Sequence, residues 1–285
     1  MAKLRIGTCS WKYDSWRGLI YSSRDPINYL EEYAKELDTV EIDQWFWSLF
    51  GTDKVSLPKP AVVDEYRNSV PDDFLFTIKM PNSITLTHFY RKNKSEPLEP
   101  NPYFLSVKLL EQFLQRIGPL KNQLGSLMFQ FEYLNKQKMV SQFEFQKRFS
   151  RFTEEAPQGY PYGMEIRNPN YLNRHFFEFL NEHNLHFVFL QGYYMPSIVD
   201  IYDKFGKYIR EKAVIRLHGG DRKEIEEKSR GRWNRILEPK DDELRLVVDM
   251  VRDLLAREVD VFLNVNNHYE GSAPITIRKF RELMG

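Results

Sequence analysis

Three pairs of charged residues, each two positions apart, stand near the ends of short apolar segments: Glu41 and Asp43, Glu165 and Arg167, Arg216 and His218. On an extended chain a spacing of two puts both members on one face. Two carboxylates sharing a face could hold a single divalent cation or divide into acid and base roles. The alternative is that Glu41 pairs with a basic neighbour such as Lys79, because a buried charge needs a partner. Glu165 beside Arg167 reads either as a catalytic acid next to an anion clamp, since the guanidinium fork fits carboxylate and phosphate, or as an internal ion lattice. Arg216 and His218 run into Gly219-Gly220, where backbone N–H groups can meet an anion. An imidazole there could serve as a general base or bond to a carboxylate on a neighbouring strand. Lys79 closes another apolar segment. Burial can make such a lysine an imine-forming nucleophile, whereas an ion pair with Glu41 would keep its amine protonated. Asn264 and Asn266 alternate in the same way and Asn267 opens the next loop, so their amides could hydrogen-bond a polar ligand.

These residues meet only if a fold gathers the segment ends. Eight segments read as buried strands: LRIGTCSW, TVEID, FLFTIK, LGSLMFQF, YGMEIRN, LHFVFLQG, AVIRLHG and VDVFLNVNN. Helical periodicity fills most of the intervals, with helices expected over 26–37, 60–69, 103–117, 172–183, 241–257 and 275–283, and a polar helix after the fourth strand. Strand–helix alternation predicts an α/β fold with a parallel sheet. Eight units favour a (β/α)8 TIM-type barrel with outer helices over an open doubly wound sheet. In such a barrel the strand C-termini form the site, which would bring Lys79, Glu165, Arg167, Arg216, His218 and Asn266 together, with Glu41 beneath or beside them. Between Met80 and Pro102 the four prolines at 81, 97, 100 and 102 predict a long irregular loop after the third strand. The segment after the sixth strand has no clear pattern.

The 285 residues suit a single domain over 1–285. A net charge of +1 gives no global basic field, so nucleic acid could be held only by a local patch. The lone Cys9 excludes an internal disulfide; it could be a nucleophile or a small buried hydrophobe. The six histidines do not cluster, so a three-zinc site is not expected, while one divalent metal stays open. The N-terminus runs straight into a strand and no apolar run reaches a membrane span, which predicts a cytoplasmic protein without a signal peptide. Aromatics reach 15% of the chain. Trp11, Tyr13 and Trp16 with Arg17, and Tyr90 with Arg91, Lys92 and Lys94, mix rings with cations in loops. That mixture suits stacking on bases or sugars, or a lid packed over the barrel mouth.

The ordered set Gly7-Thr8-Cys9-Ser10-Trp11, Trp16-Arg17-Gly18, Thr39-Val40-Glu41-Ile42, Phe76 to Lys79 with Pro81, Leu124-Gly125 through Phe129-Gln130-Phe131, Glu165-Ile166-Arg167-Asn168, Arg216-Leu217-His218-Gly219 and Asn266-Asn267 with Gly271 and Ala273 resembles the YecE-like barrel family, domain-of-unknown-function family 72. The resemblance spans nearly the whole chain. It implies a TIM-barrel-like fold and no assigned activity. The family is similar in architecture to endonuclease IV and sugar isomerase barrels, an analogy of fold that makes nucleic acid a ligand to consider. Where the family often has an acidic residue near the end of strand six, this chain has Leu190-Gln191-Gly192, and Trp45-Phe46-Trp47 is richer in tryptophan than the usual motif. Two functions are therefore expected to compete: an enzyme acting on a small phosphorylated or sugar-like ligand or a phosphodiester, with Glu165 or His218 as acid or base and Arg167 and Arg216 as clamp; and a nucleic-acid-binding protein without catalysis. No protein partner is evident.

Overall fold

Apolar residues at every second position make the eight segments strands, and the strands close on themselves. The computed structural model describes residues 1–22, 25–51, 54–91, 93 and 95–285. Its barrel strands are β1 (Leu4–Thr8), β2 (Thr39–Ile42), β3 (Leu75–Lys79), β4 (Leu124–Phe131), β5 (Tyr162–Ile166), β6 (His186–Gln191), β7 (Lys212–Leu217) and β8 (Asp260–Val265). Each pairs in parallel with its sequence neighbours, and β8 pairs with β1 to close the ring. Gly7 allows the β1–β2 seam: a Cβ there would lie 1.9 Å from the Thr39 carbonyl oxygen.

Ten helices among the described residues follow in chain order. They are α1 (Tyr29–Tyr33), α2 (Pro60–Asn68), α3 (Asn82–Thr85), α4 (Val107–Arg116), α5 (Gln142–Glu155), α6 (Arg174–Glu182), α7 (Ile198–Phe205), α8 (Arg222–Ser229), α9 (Asp241–Ala256) and α10 (Ala273–Met284). The expected helix over 26–37 is shorter than its periodicity suggests. Asn28 caps it by accepting hydrogen bonds from the Leu30 and Glu31 amides, so Pro26 lies outside the helix. The patternless stretch after β6 contains α7, and the charged stretch after β7 forms α8.

Alternation divides the strand side chains between two cores. Phe129 and Phe131 of β4 point outward and meet Phe145, Phe149 and Phe152 of α5 in edge-on contacts 4.9–5.7 Å apart. Burying a Phe contributes about 1.5–3 kcal/mol, so this aromatic layer is a main fastening of helix to barrel. Inside, Met128, Val188, Val214 and Phe262 with Leu75 fill the lower barrel. One step up, six of the eight strands turn the interior polar: Glu41, Thr77, Gln130, Glu165, Arg216 and Asn264 are all buried.

The excursion after β3 is irregular, as expected, but anchored. The Asn82 side chain accepts from the Ser48 and Leu49 amides, and Asn101 donates to the Ser83 and Leu86 carbonyls. An antiparallel bridge from His88 to Pro100 closes it. Lys92 and Lys94 lie outside the described residues.

Candidate functional site

Arg216 organises the polar layer. Its guanidinium grips Glu41 with two bonds of 2.7 Å, donates to Glu165, and reaches Gln130 at 3.5 Å. All these side chains come from inward positions of β2, β4, β5 and β7. The expected alternative of Glu41 paired with Lys79 is thus replaced by Glu41 paired with Arg216. Arg216, Glu41 and Glu165 are at most 1% exposed. Burial opposes charge on Arg216, but the two carboxylates outweigh it and hold the guanidinium charged. Burial likewise pushes Glu165 up, and Arg216, Arg167 and Lys79 together hold it below the usual carboxylate range. Such a lattice is saturated: Glu165 is bonded on both oxygens, by Arg216 and by Arg167 Nε at 3.1 Å.

A second tier rises above it at the strand ends. Lys79 ends β3 on the face of Thr77, whose hydroxyl receives the Asn264 amide across the interior at 2.8 Å. Its Nζ sits 4.1 Å from the centroid of the Phe46 ring, and among the described residues no carboxylate lies within ion-pairing distance. Burial, then Arg216, lowers its pKa, against weaker pulls from Glu41, Glu165 and Asp43. Asp43 has no cation within ion-pairing distance among the described residues; burial and then Glu41 raise its pKa, opposed by Lys79 and Arg216. The two groups are close enough to act on each other's charge.

His218 is held from both sides, with Cys9 Sγ 3.5 Å from Nε2 and the Tyr193 hydroxyl 3.3 Å from Nδ1. Burial, then the cations Arg216, Arg167 and Lys79, keeps the imidazole neutral at physiological pH. Cys9 also lies 3.6 Å from the Asn264 carbonyl, and burial, then Glu41, holds its thiol protonated. It is therefore a poor nucleophile. Arg167 stacks over the Tyr193 ring at 4.5 Å. Tyr193 was not legible in the sequence. It sits after β6 in a turn where Gly192, Tyr193 and Tyr194 all have positive φ, and a Cβ on Gly192 would lie 2.5 Å from the Gly219 carbonyl oxygen. Three such residues in a row are the one local signal of an enforced geometry.

The other expected site residues have their own partners. Asn266 stands at the end of β8 and accepts from the His268 amide. Asn267 is buried and accepts from the Ala273 amide, so it fastens the loop into α10. Trp11 packs edge-on against Tyr66 at 5.0 Å, and Trp16 is wholly buried. Both are packed into the apolar core. Arg17 bonds Asp25, 2.7 Å away, and Tyr29 through its guanidinium. For a metal, the Glu41–Asp43 pair does not fit, because Arg216 occupies both Glu41 oxygens. Among the described residues no group of three or more His, Cys, Asp or Glu could hold an ion.

Exposed rings mark the surrounding rim. Trp47 follows β2, Tyr90 follows β3, Tyr133 follows β4 and Tyr194 follows β6, each at least 57% exposed. Trp47 and Tyr90 are neighbours, with centroids 6.4 Å apart. Asn264 Oδ1, beneath the mouth, has no hydrogen-bond partner although it is buried. No helix among the described residues is long and apolar enough to cross a membrane.

Residues 5–285 match the profile of a family described as protein of unknown function DUF72. The UPF0759 protein YecE of Escherichia coli K12 is 26% identical over 166 residues, 58% of this chain and 49% of that protein. The chain therefore spans about half the length of the curated relatives it matches. A DUF72 family protein from Thermotoga maritima has the same fold at 21% identity and a TM-score of 0.67, with 99% of each chain covered. One from Enterococcus faecalis V583 gives 18% identity and a TM-score of 0.68, covering 99% of this chain and 95% of that one.

Proposed function

The chain belongs to the DUF72 family, and we propose that its barrel mouth is the active site of an enzyme that moves protons on a small anionic ligand of phosphorylated or sugar-like type. The observation that carries this reading is the pair Asp43 and Lys79. They are ionisable and partly exposed, stand without ion-pair partners among the described residues, and are shifted in opposite directions. Environments that push neighbouring pKa values apart from their ordinary ranges towards neutrality are how a site obtains an acid and a base at one pH. In this reading Asp43 and Lys79 transfer protons, while neutral His218, engaged by Cys9 and Tyr193, holds the wall of the site in place. Arg167, one-quarter exposed in its side chain, contacts the anion. Glu165 and Arg216 position rather than react. Glu165 orients Arg167, and Arg216 keeps Glu41 from quenching Lys79.

A panel of triose, pentose and hexose phosphates, read by thermal unfolding, tests the proposal. A ligand at one hundred times its Kd stabilises by about 2.7 kcal/mol. Arg167→Ala should abolish that shift, and Asp43→Asn should keep it while removing turnover. The reading fails if no phosphorylated sugar shifts the transition.

The exposed rim rings support a second reading, a single-stranded nucleic acid whose bases stack on Trp47, Tyr90 and Tyr194. Oligonucleotide anisotropy at two salt concentrations separates the two, since phosphate contacts weaken steeply with salt.

A further inference from the structure

We propose that Lys79 is a covalent catalyst whose ε-amine condenses with an aldehyde or ketone carbon of the ligand to form an imine. This rests on the reading of the mouth as the ligand site and narrows its substrate class to carbonyl compounds bearing an anionic group.

Four features carry it. The amine sits at an inward position of a barrel strand, and its residue is only partly buried, so a ligand in the mouth can reach it. The carboxylate best placed to neutralise it, Glu41 on the adjoining strand in register with Thr77, is taken by Arg216 on both oxygens. The lysine therefore faces a second cation and no paired anion, the setting in which an amine becomes nucleophilic at neutral pH. The Phe46 ring fixes Nζ at 4.1 Å, and its attraction for an ammonium, about 1 kcal/mol, is weaker than the charge-assisted bond a carboxylate would make there. Asp43 follows the end of the adjoining strand, has no ion-pair partner among the described residues, and has its pKa raised by burial and Glu41 against Lys79 and Arg216, which suits it to relay a proton.

The chemistry balances without an oxidant. The nitrogen lone pair attacks the carbonyl carbon, and the C=O π pair moves to oxygen, which takes a proton. The nitrogen loses a proton, giving a carbinolamine. A proton from Asp43 to the hydroxyl lets the C–O bond break, water leaves, and the nitrogen lone pair closes the C=N bond. Water addition reverses the sequence.

Glyceraldehyde 3-phosphate with sodium cyanoborohydride would trap the imine as a secondary amine. Trypsin does not cut after an alkylated lysine, so a modified Lys79 leaves residues 68–91 as one peptide in place of 68–79 and 80–91. The expected result is that this peptide carries the adduct at low aldehyde concentration, before the exposed Lys108 and Lys147 are labelled, and that Lys79→Arg abolishes it. Glycerol 3-phosphate, which has no carbonyl, serves as the companion probe in thermal unfolding. If it stabilises the protein while label appears only on exposed lysines, the imine proposal is overturned and the anion site stands. If it gives no stabilisation and Lys79 stays unlabelled, both are overturned.

Discussion

Replacing Arg216 with Met tests the lattice on which the mouth is built. The change removes two bonds to Glu41, one to Glu165 and a long one to Gln130, at positions with almost no solvent contact. Removing one partner of a buried ion pair costs about 3–5 kcal/mol, chiefly because the other charge is left uncompensated. Here two carboxylates are stripped, and Arg167 can still serve Glu165 alone. The expected loss is therefore at the upper end, about 4–5 kcal/mol. It should appear in urea unfolding as a lower midpoint at unchanged slope.

The pH dependence gives a second reading with a definite sign. In the native protein Glu165 is held below its ordinary range, so it contributes stability above that range that is lost as pH falls. A carboxylate stranded without its cation favours the protonated form, so its contribution is lost as pH rises. The penalty of Arg216→Met should thus shrink between about pH 8 and about pH 5. A loss under about 1 kcal/mol, or a penalty that grows in acid, would refute the reasoning. Replacing all three groups together (Glu41→Leu, Glu165→Gln, Arg216→Met) should recover most of the stability, as apolar substitution of buried ion triads does.

Lower in the barrel, partly exposed His186 bonds Ser126, and desolvation pushes its pKa down to about 3. It contributes stability above its ordinary 6.5 that is lost as pH falls, about 2 kcal/mol by pH 5, and His186→Gln should flatten that part of the stability profile. Gly7→Ala would put a Cβ 1.9 Å from a backbone oxygen that cannot move aside, and should cost about 3 kcal/mol or more by thermal unfolding or prevent folding. Trp47→Ala combined with Tyr90→Ala should weaken ligand binding while changing stability by no more than about 0.5 kcal/mol per site, because both rings are mostly exposed. Unchanged affinity in that variant would remove the rim from the site.

The barrel itself was legible because eight apolar segments carry period-two alternation, and charged residues within them had no other place to face than the interior. The pairs Glu41/Asp43, Glu165/Arg167 and Arg216/His218 announced a polar upper barrel for that reason. What sequence could not give was which charge meets which. Glu41 is beside Lys79's strand in the sheet, yet its bonds cross the barrel to Arg216, a choice set by the stagger of closure. Consequently Lys79 gained the freedom that the neighbour-pairing expectation denied it. Trp11 and Trp16 looked like stacking platforms because they share loops with cations, but their apolar area is spent in packing. Tyr193 lies in a turn without periodicity, where only backbone conformation reveals its purpose.

The Arg216 lattice also sets the order in which the chain can commit to its shape. Glu41 and Arg216 are 175 residues apart, so at typical synthesis rates the acid waits roughly ten to thirty seconds on the ribosome for its cation. Until then, closing the first strands over Glu41 would bury a lone negative charge. A half-built barrel is thereby penalised, and the last strands are required before the first can dry out. One arginine late in the chain thus weighs against premature collapse of the barrel's first half.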